Sequence, residues 1–406
     1  MAFLQDKKKI NQIIFIFACC YMVSYITRIN FGAVILEMVT DTGISKSLLS
    51  LSVTGSFITY GAGQIVSGIC GDKFSPKRLL LLGLGVTTVM NLLIPLCPNA
   101  YAMLCVWCVN GFAQAFMWPP MVRMMASIFS PEDYSRSIVR VNWGASIGTI
   151  LVYLIAPVLI SFFSWRAMFI FSAVCGIIMM VVWQKNCPEV SVNTVFAKPK
   201  AETGKQAGLF SPLLLVIMFS IILMGMLRDG VTTWIPTYIS ETCNLSNVIS
   251  ILTGVILPIF TILSTNVSEM LYTKKISNPV LCSGVIFAVG SIASLVLFFL
   301  SGYKIAALSV LFSALLTGSM HGVNLILIGM IPPYFAKTGN VSTVSGILNS
   351  CVYIGSAIST YGIAVLSEKL GWDKTLLVWF AIAALGTVIC FLCTGPWQKK
   401  METDKE

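Results

Sequence analysis

Long apolar stretches separated by short polar segments run along almost the whole chain of 406 residues. A membrane-spanning helix needs about 20 predominantly apolar residues, and twelve stretches reach that length. We therefore predict an all-α membrane protein with twelve transmembrane helices. The predicted spans are residues 11–37, 46–70, 78–98, 100–129, 136–162, 165–184, 211–240, 246–271, 279–300, 303–335, 340–367 and 371–395.

A polar segment at residues 185–210 divides these spans into two groups of six. It contains two prolines and four lysines and has no apolar period, which is typical of a loop. We predict a six-helix half at residues 1–184, a cytoplasmic linker at 185–210, and a second six-helix half with a short cytoplasmic tail at 211–406.

The two halves resemble each other, which predicts an internal repeat. Matching features recur at offsets near 200–213 residues: Arg28 and Arg228, Trp118-Pro119-Pro120 and Ile331-Pro332-Pro333, and the loops DKFSPKR (72–78) and TKKISNP (273–279). Two pseudo-symmetric halves with a binding site between them are typical of secondary transporters.

Composition and charge agree with this class. Charged residues make up 10% of the chain, against about 25% in soluble domains. With the N-terminus inside, eighteen of the 26 Lys and Arg residues lie in cytoplasmic segments or at the span ends beside them, five lie on the opposite side, and the remaining three lie deeper within spans. This bias predicts that both termini are cytoplasmic. It also accounts for the net charge of +10 without a nucleic-acid partner, and we expect no cleavable signal peptide before the first span.

Arg28, Arg123 and Arg228 fall within predicted spans, where a charge is costly and is by default a functional hypothesis. Arg28 and Arg228 occupy equivalent places, and a guanidinium offers a fixed fork of donors that matches phosphate or carboxylate. An anion between them would neutralise both, so we predict that they bind an anionic substrate. The alternative is that each arginine only braces helices, with Asp229 as a partner for Arg228.

The other titratable residues within the spans have less specific roles. Arg123 is expected to snorkel or to brace the loop Ser130–Arg136 at the end of its helix, and contact with the substrate is the alternative. The single histidine, His321, could couple protons or could simply pack between helices. Asp229 is a second candidate for proton coupling, although the adjacent Arg228 opposes its protonation.

Aromatic and amide side chains on the same spans complete the predicted substrate site. Tyr21, Tyr25 and Arg28 recur at spacings of four and three and therefore share one face of the first helix. Tyr25 and Tyr60 could donate hydrogen bonds to phosphate, or could pack as ordinary aromatics. The predicted substrate-binding residues are Arg28, Arg228, Tyr25, Tyr60, Trp118, Asn142 and Gln114.

No metal or cofactor is expected. The pairs Cys105/Cys108 and Cys390/Cys393 match CxxC, but they lie in apolar stretches without the four converging ligands of a zinc site. Buried, apolar cysteines are the simpler interpretation. No nucleotide-binding glycine loop precedes a soluble helix, which argues against direct use of ATP. We therefore predict a protein that is not an enzyme.

Several motifs resemble those of known transporter families. The loop Gly71-Asp72-Lys73-Phe74-Ser75-Pro76-Lys77-Arg78 is similar to the cytoplasmic signature of the major facilitator superfamily. More specific motifs resemble the organophosphate:phosphate antiporters, such as glycerol-3-phosphate and hexose-phosphate transporters. These motifs are Tyr25-x-x-Arg28-x-Asn30-Phe31, Trp118-Pro119-Pro120 followed by Arg123, and Leu227-Arg228-x-Gly230-x-x-x-Trp234-x-Pro236-Thr237-Tyr238.

This resemblance implies the twelve-helix fold of the superfamily, with a structural role for Gly71, Asp72, Lys77 and Arg78. It also implies that the two matching arginines bind phosphate in a central cavity and that rocking of the halves exchanges phosphate for a phosphorylated metabolite.

The chain departs from the glycerol-phosphate transporter at three positions. Gln64 and Ala145 align with a lysine and a histidine of that transporter, and Asp229 replaces an uncharged aromatic residue. The identity of the substrate is therefore not carried over.

We predict a monomeric antiporter of the bacterial inner membrane that exchanges a sugar phosphate or glycerol phosphate for inorganic phosphate by alternating access. One alternative is proton-coupled symport of an organic anion such as a sugar acid, with Asp229 or His321 as the coupling residue. A second alternative is a transporter-like sensor of a sugar phosphate.

Overall fold

The computed structural model describes residues 4–189, 211–243, 247–303 and 305–403, and the helices below lie in these ranges. Residues 190–210, most of the predicted linker, lie outside them. The chain divides into two compact units. The first unit comprises Met1–Lys200 and Pro332–Ser350, and the second comprises Ala201–Ile331 and Cys351–Glu406.

Residues 4–189 form seven α-helices with ordinary starting signals. Asp6 caps the first helix by accepting from the Lys8 amide, and Ser130 caps the sixth, where Pro131 takes a position that needs no N–H. The helices are α1 (Lys7–Thr42), α2 (Lys46–Lys73), α3 (Pro76–Leu93), α4 (Ala100–Gln114), α5 (Trp118–Ile128), α6 (Pro131–Phe162) and α7 (Trp165–Asn186).

The described residues from 211 onwards are also helical, as the sequence predicts. The helices are α8 (Pro212–Cys243), α9 (Asn247–Lys274), α10 (Pro279–Leu300), α11 (Ala306–Asn324) and α12 (Val341–Thr403). Between α11 and α12 lie a π-helical stretch, Leu325–Met330, and a 3₁₀ segment, Pro332–Thr338. Gly371 interrupts α12 with a φ of 78°, a backbone conformation that favours glycine, and so separates the last two predicted spans.

Ten helical stretches in the described residues are long and apolar enough to cross a membrane. The two other predicted spans correspond to α2 and α9, which have 28 residues each, or about 42 Å of helix. Many serine, threonine and glycine residues lower the hydropathy of α2. The all-α prediction is confirmed, and α2 and α9 also have the length of a membrane helix.

Two of the predicted spans contain an interruption of the α-helix, and proline is the reason. The span 100–129 is divided into α4 and α5, because Pro119 and Pro120 have no N–H to bond to the preceding turn. The span 303–335 changes to π-helical and 3₁₀ structure around Pro332 and Pro333. The matching proline pairs of the two halves therefore both interrupt a regular helix.

Glycines set the closest helix packing in each unit. A Cβ added at Gly144 of α6 would lie 2.2 Å from the carbonyl oxygen of Ala18 in α1. A Cβ added at Gly355 of α12 would lie 2.1 Å from the carbonyl oxygen of Ile222 in α8. Small residues let helix backbones approach closely in a membrane protein, where apolar burial alone does not favour association.

A buried network of amide side chains ties α1 to α3 and α7 in the first unit. Asn30 of α1 donates to Asn91 of α3 at 2.7 Å and to Ser172 of α7 at 2.9 Å. Asn91 in turn donates to the carbonyl oxygen of Thr27 at 3.0 Å. Buried polar groups are stable only when hydrogen-bonded, so this network fixes the position of α1 between α3 and α7.

A bond between a carboxylate and an indole occurs at equivalent places in both units. Asp41, at the end of α1, accepts from the Trp165 indole at 2.9 Å and from Arg166 at 2.8 Å. Glu241, near the end of α8, accepts from the Trp372 indole at 2.7 Å. These bonds tie the end of the first helix of each unit to the start of its last helical segment, which is α7 in the first unit and the part of α12 after Gly371 in the second. An internal repeat would require such a match.

Replacement of Gly144 by alanine is expected to destabilise the protein, because the added methyl group collides with the α1 backbone. Overpacking of this kind costs about 1–3 kcal/mol. Gly32→Ala is the matched control, since no atom of the described neighbouring helices lies within 4 Å of the position that its Cβ would take, and alanine favours a helix. Thermal unfolding in detergent measures both variants, and equal melting temperatures would contradict the packing account.

Asp41→Asn is expected to lower stability at neutral pH, and this effect is expected to shrink as the pH falls. The hydrogen bonds from Trp165 and Arg166 hold the pKa of Asp41 below its ordinary value. A lowered folded-state pKa stabilises the fold above the unfolded pKa of about 3.9, and this contribution is lost as the pH falls through the folded value. Unfolding of both proteins from pH 7 to pH 3 measures the difference, and a difference independent of pH would exclude the charge as its cause.

Candidate anion-binding residues

The Arg28 guanidinium of α1 lies over two tyrosine rings of the first unit. Its Cζ is 4.2 Å from the ring centroid of Tyr25, one turn earlier in α1, and 4.8 Å from that of Tyr60 in α2. Aromatic faces attract a cation at these distances. An aromatic face does so without occupying an N–H donor, so this arrangement is compatible with anion binding by the same guanidinium.

The aromatic cluster extends from Tyr25 to Trp118. The Tyr21 ring is 5.3 Å from the Tyr25 ring and 5.3 Å from Trp118 at the start of α5. The predicted common face of Tyr21, Tyr25 and Arg28 is therefore confirmed. Trp118 is buried, and its indole Nε1 makes no hydrogen bond to any described residue.

Two predicted site residues, Gln114 and Asn142, donate hydrogen bonds from their side-chain amides to other groups of the protein. Gln114 donates to the hydroxyl groups of Thr27 at 2.8 Å and Thr87 at 2.9 Å, as part of the buried network. Asn142 donates to the carbonyl oxygen of Ile138, one turn earlier in α6, at 2.9 Å. Their place in a substrate site stays a prediction.

The Arg228 guanidinium of α8 binds the carboxylate of the next residue, Asp229. Nε donates to Oδ1 and a terminal nitrogen donates to Oδ2, both at 2.7 Å. The other terminal nitrogen donates to the amide oxygen of Asn324 in α11 at 3.0 Å. The bracing role that the sequence left open for Asp229 is therefore present in the structure.

His321 lies one turn before Asn324 on α11, so both residues share one helix face. It is close enough to interact electrostatically with both Arg228 and Asp229. The two candidate coupling residues are thus brought together around Arg228. The described charged and titratable groups of this cluster are Arg228, Asp229 and His321.

Ser356 of α12 belongs to the cluster, and the sequence analysis missed it. Its hydroxyl donates to Asp229 Oδ2. The contact depends on the close approach of α8 and α12 at Gly225 and Gly355. The adjacent small residues Gly355-Ser356 were the available signal, but a serine in a glycine-rich helix is too common to single out.

Asp72 of the loop motif binds the start of α12. Its two carboxylate oxygens accept from the amides of Ser342 at 2.9 Å and Thr343 at 2.7 Å. The first amides of a helix have no partner within it and carry a partial positive charge, so a carboxylate stabilises this end.

Arg123 braces the end of α2. Its guanidinium is buried, donates to the carbonyl oxygen of Gly71, and lies 3.9 Å from Asp72. The expectation that it braces Ser130–Arg136 is therefore wrong, because burial of the whole side chain favours a partner on the neighbouring helix.

The remaining residues of the loop motif have separate contacts. Lys77 is buried and donates to the carbonyl oxygen of Gln184 at 3.0 Å, which ties α3 to α7. Arg78 is exposed and lies 3.8 Å from Glu189, a surface pair of little energetic value.

The start of α12 packs on α2 through polar residues. Gly346 approaches the carbonyl oxygen of Gln64, to which an added Cβ would be only 2.2 Å away. The side-chain polar atoms of Gln64, Ser67, Ser342 and Ser345 are buried and make no hydrogen bond to any described residue. We call these residues the α2–α12 polar contact.

The sequence is similar to transport and sensor proteins along most of its length. It is 22% identical to a probable hexose phosphate transport protein of Chlamydia trachomatis serovar D, covering 91% of this chain and 87% of the relative. It is 23% identical to the membrane sensor protein UhpC of Salmonella typhimurium, covering 93% of this chain and 89% of the relative.

A solved structure of the proton:xylose symporter XylE has the same fold. The two share 12% sequence identity and a TM-score of 0.76, over 95% of this chain and 96% of that one. The family model of the Major Facilitator Superfamily matches residues 17–360. With its apolar helices and its distant organophosphate-transporter relatives, the chain is an integral, multi-pass membrane protein that belongs to the Major Facilitator Superfamily, a family of transporters and not of enzymes.

Proposed function

We propose that the protein exchanges a small phosphorylated metabolite, a sugar phosphate or glycerol phosphate, for inorganic phosphate. Arg28 and Arg228 bind the transported anion, and the cycle is alternating access without a covalent step. The protein acts as a monomer in a bacterial inner membrane, with both termini in the cytoplasm. The coarse function, transport, follows from the family, whereas the substrate class and the binding residues are the proposal.

One observation carries this proposal. Each half has a partly buried guanidinium at the same place in its first helix, and each guanidinium is surrounded by groups that hold it. Arginine keeps its charge and presents donors that match phosphate oxygens. The distant relationship to a hexose phosphate transport protein supports the same substrate class.

The α2–α12 polar contact supports a transport cycle. Each buried polar group without a hydrogen bond costs about 1–3 kcal/mol relative to its hydrated state. A permanent contact made of such groups would be unfavourable. If the two helices separate in another state of the cycle, these groups become hydrated and the energy is recovered. While the helices are in contact, the hydrogen bonds that Asp72 of α2 accepts from the first amides of α12 offset part of the cost.

Arg28→Lys and Arg228→Lys are each expected to reduce phosphate exchange about 10- to 100-fold, because lysine keeps the charge but loses the second charge-assisted hydrogen bond. The assay is uptake of labelled phosphate into proteoliposomes loaded with unlabelled phosphate. A panel of sugar phosphates, glycerol phosphate and simple carboxylates then competes from outside.

The matched control is Arg136→Lys, an arginine that pairs with Asp133 three residues earlier in α6. Its exchange rate is expected to stay within about twofold of the wild type, since such helix pairs contribute only about 0.3–0.5 kcal/mol. Absence of phosphate exchange by folded wild-type protein would contradict the proposal, and uptake of a carboxylate driven by protons would replace it.

Substitutions of Tyr25 separate two ways in which this residue could act. If the ring face holds Arg28, Tyr25→Phe keeps phosphate affinity, whereas Tyr25→Leu weakens it about 2- to 30-fold, the equivalent of a cation–π contact of about 0.5–2 kcal/mol. Concentration dependence of exchange measures the affinity. Equal damage by both substitutions would mean that the hydroxyl group, and not the ring, is required.

Sensing is a second candidate function, because one relative of nearly full coverage is a membrane sensor protein. A sensor would bind a sugar phosphate without moving it. Binding to purified protein together with absent exchange in proteoliposomes would favour this function over antiport.

A further inference from the structure

Asp229 occupies one edge of the Arg228 guanidinium in the geometry that a substrate anion would use. Two parallel hydrogen bonds of 2.7 Å join the two side chains. Carboxylates and phosphates bind arginine through this same bidentate arrangement. Two phosphate oxygens cannot bind that edge while the carboxylate is on it, so an anion that uses this edge must first displace Asp229.

The structure provides a second partner for the displaced carboxylate. The Ser356 hydroxyl donates to Asp229 Oδ2 and also lies 3.0 Å from the carbonyl oxygen of Val352. A hydroxyl has a single hydrogen to donate, and these two acceptors share it. It can pass entirely to the carboxylate once the carboxylate leaves Arg228.

The exposure of the two side chains favours movement of the aspartate over movement of the arginine. The Asp229 side chain is 34% exposed and that of Arg228 is 12% exposed. Arg228 is also held by Asn324 of α11 at 3.0 Å. The guanidinium is therefore fixed between two helices, whereas the carboxylate is the more accessible of the two groups.

Displacement has a different electrostatic outcome for singly and doubly charged anions. A monoanion that replaces Asp229 substitutes one negative charge for another and gains no attraction to Arg228. It is also repelled by the displaced carboxylate. A dianion doubles the attraction at contact distance, while its repulsion from Asp229 acts over a longer and more screened distance. His321, the other titratable group facing the pair among the described residues, is present in both cases.

We propose that Asp229 is a built-in competitor at Arg228 that selects inorganic phosphate and doubly charged phosphate esters over singly charged carboxylates. This inference rests on the proposed phosphate exchange and adds to it a residue that determines specificity. Ser356 is a positioning residue in this scheme, because it acts on the anion only through Asp229.

Titration calorimetry of purified protein at pH 7.5, with inorganic phosphate and with lactate as the monocarboxylate, tests the inference. Asp229→Asn is expected to bind phosphate about tenfold more tightly and to gain still more affinity for lactate, because the competing charge is gone. Asp373→Asn, which removes an exposed carboxylate of the same unit, is the control and should match the wild type.

Ser356→Ala is expected to lower the affinity for phosphate, in contrast to Asp229→Asn, which is expected to raise it. The displaced carboxylate loses its alternative donor, so phosphate binding should weaken about threefold to tenfold. In the Asp229→Asn background the same substitution should have no effect, since the two residues act through one interaction. If one single variant fails to fold, the affinity of the other still tests the competitor role on its own.

Weaker phosphate binding by Asp229→Asn, or unchanged or tighter binding by Ser356→Ala, would overturn the competitor role. The proposed function would then still stand, because the wild type would bind phosphate. Wild-type protein that binds no phosphate would overturn the proposed function instead. In that case any gain of anion binding by Asp229→Asn supports the competitor role, and no gain overturns it.

Discussion

An arginine within an apolar helix bundle cannot give up its proton, so the surrounding protein must compensate a permanent charge. The two units solve this problem differently. Arg28 lies over the rings of Tyr25 and Tyr60, whereas Arg228 binds the carboxylate of Asp229 and the amide of Asn324. Aromatic faces attract the cation without occupying its donors, and a carboxylate occupies them directly. The two halves therefore surround the same chemical group with different partners.

Both solutions depend on close helix packing. Of the residues that hold the arginines, Tyr60, Asn324 and Ser356 come from helices other than that of the arginine itself. Glycines at the helix contacts set these distances, since a single added methyl group at several of them would collide with a neighbouring backbone. The packing of small residues thus determines which polar groups reach each arginine.

Much of this arrangement could be predicted from the sequence because its signals are local. Hydropathy predicted the helices, and Pro119-Pro120 and Pro332-Pro333 marked two equivalent places, although their breaks in helical structure were not foreseen. The spacing of Tyr21, Tyr25 and Arg28 gave the aromatic face correctly. The partners of Arg123 and the role of Ser356 could not be predicted, because each depends on which neighbouring helix faces the residue. Gln114 illustrates the same limit, since its amide binds Thr27 and Thr87 in a network that no sequence pattern indicates.

The most direct test of the account is an experimental structure of the protein with a bound phosphate, or with its denser analogue tungstate. The account predicts one anion within hydrogen-bond distance, about 3 Å, of the guanidinium groups of both Arg28 and Arg228, with the Asp229 carboxylate released from Arg228 and still bonded to Ser356. An anion bound elsewhere, or Arg228 still paired with Asp229 while phosphate is bound, would contradict it.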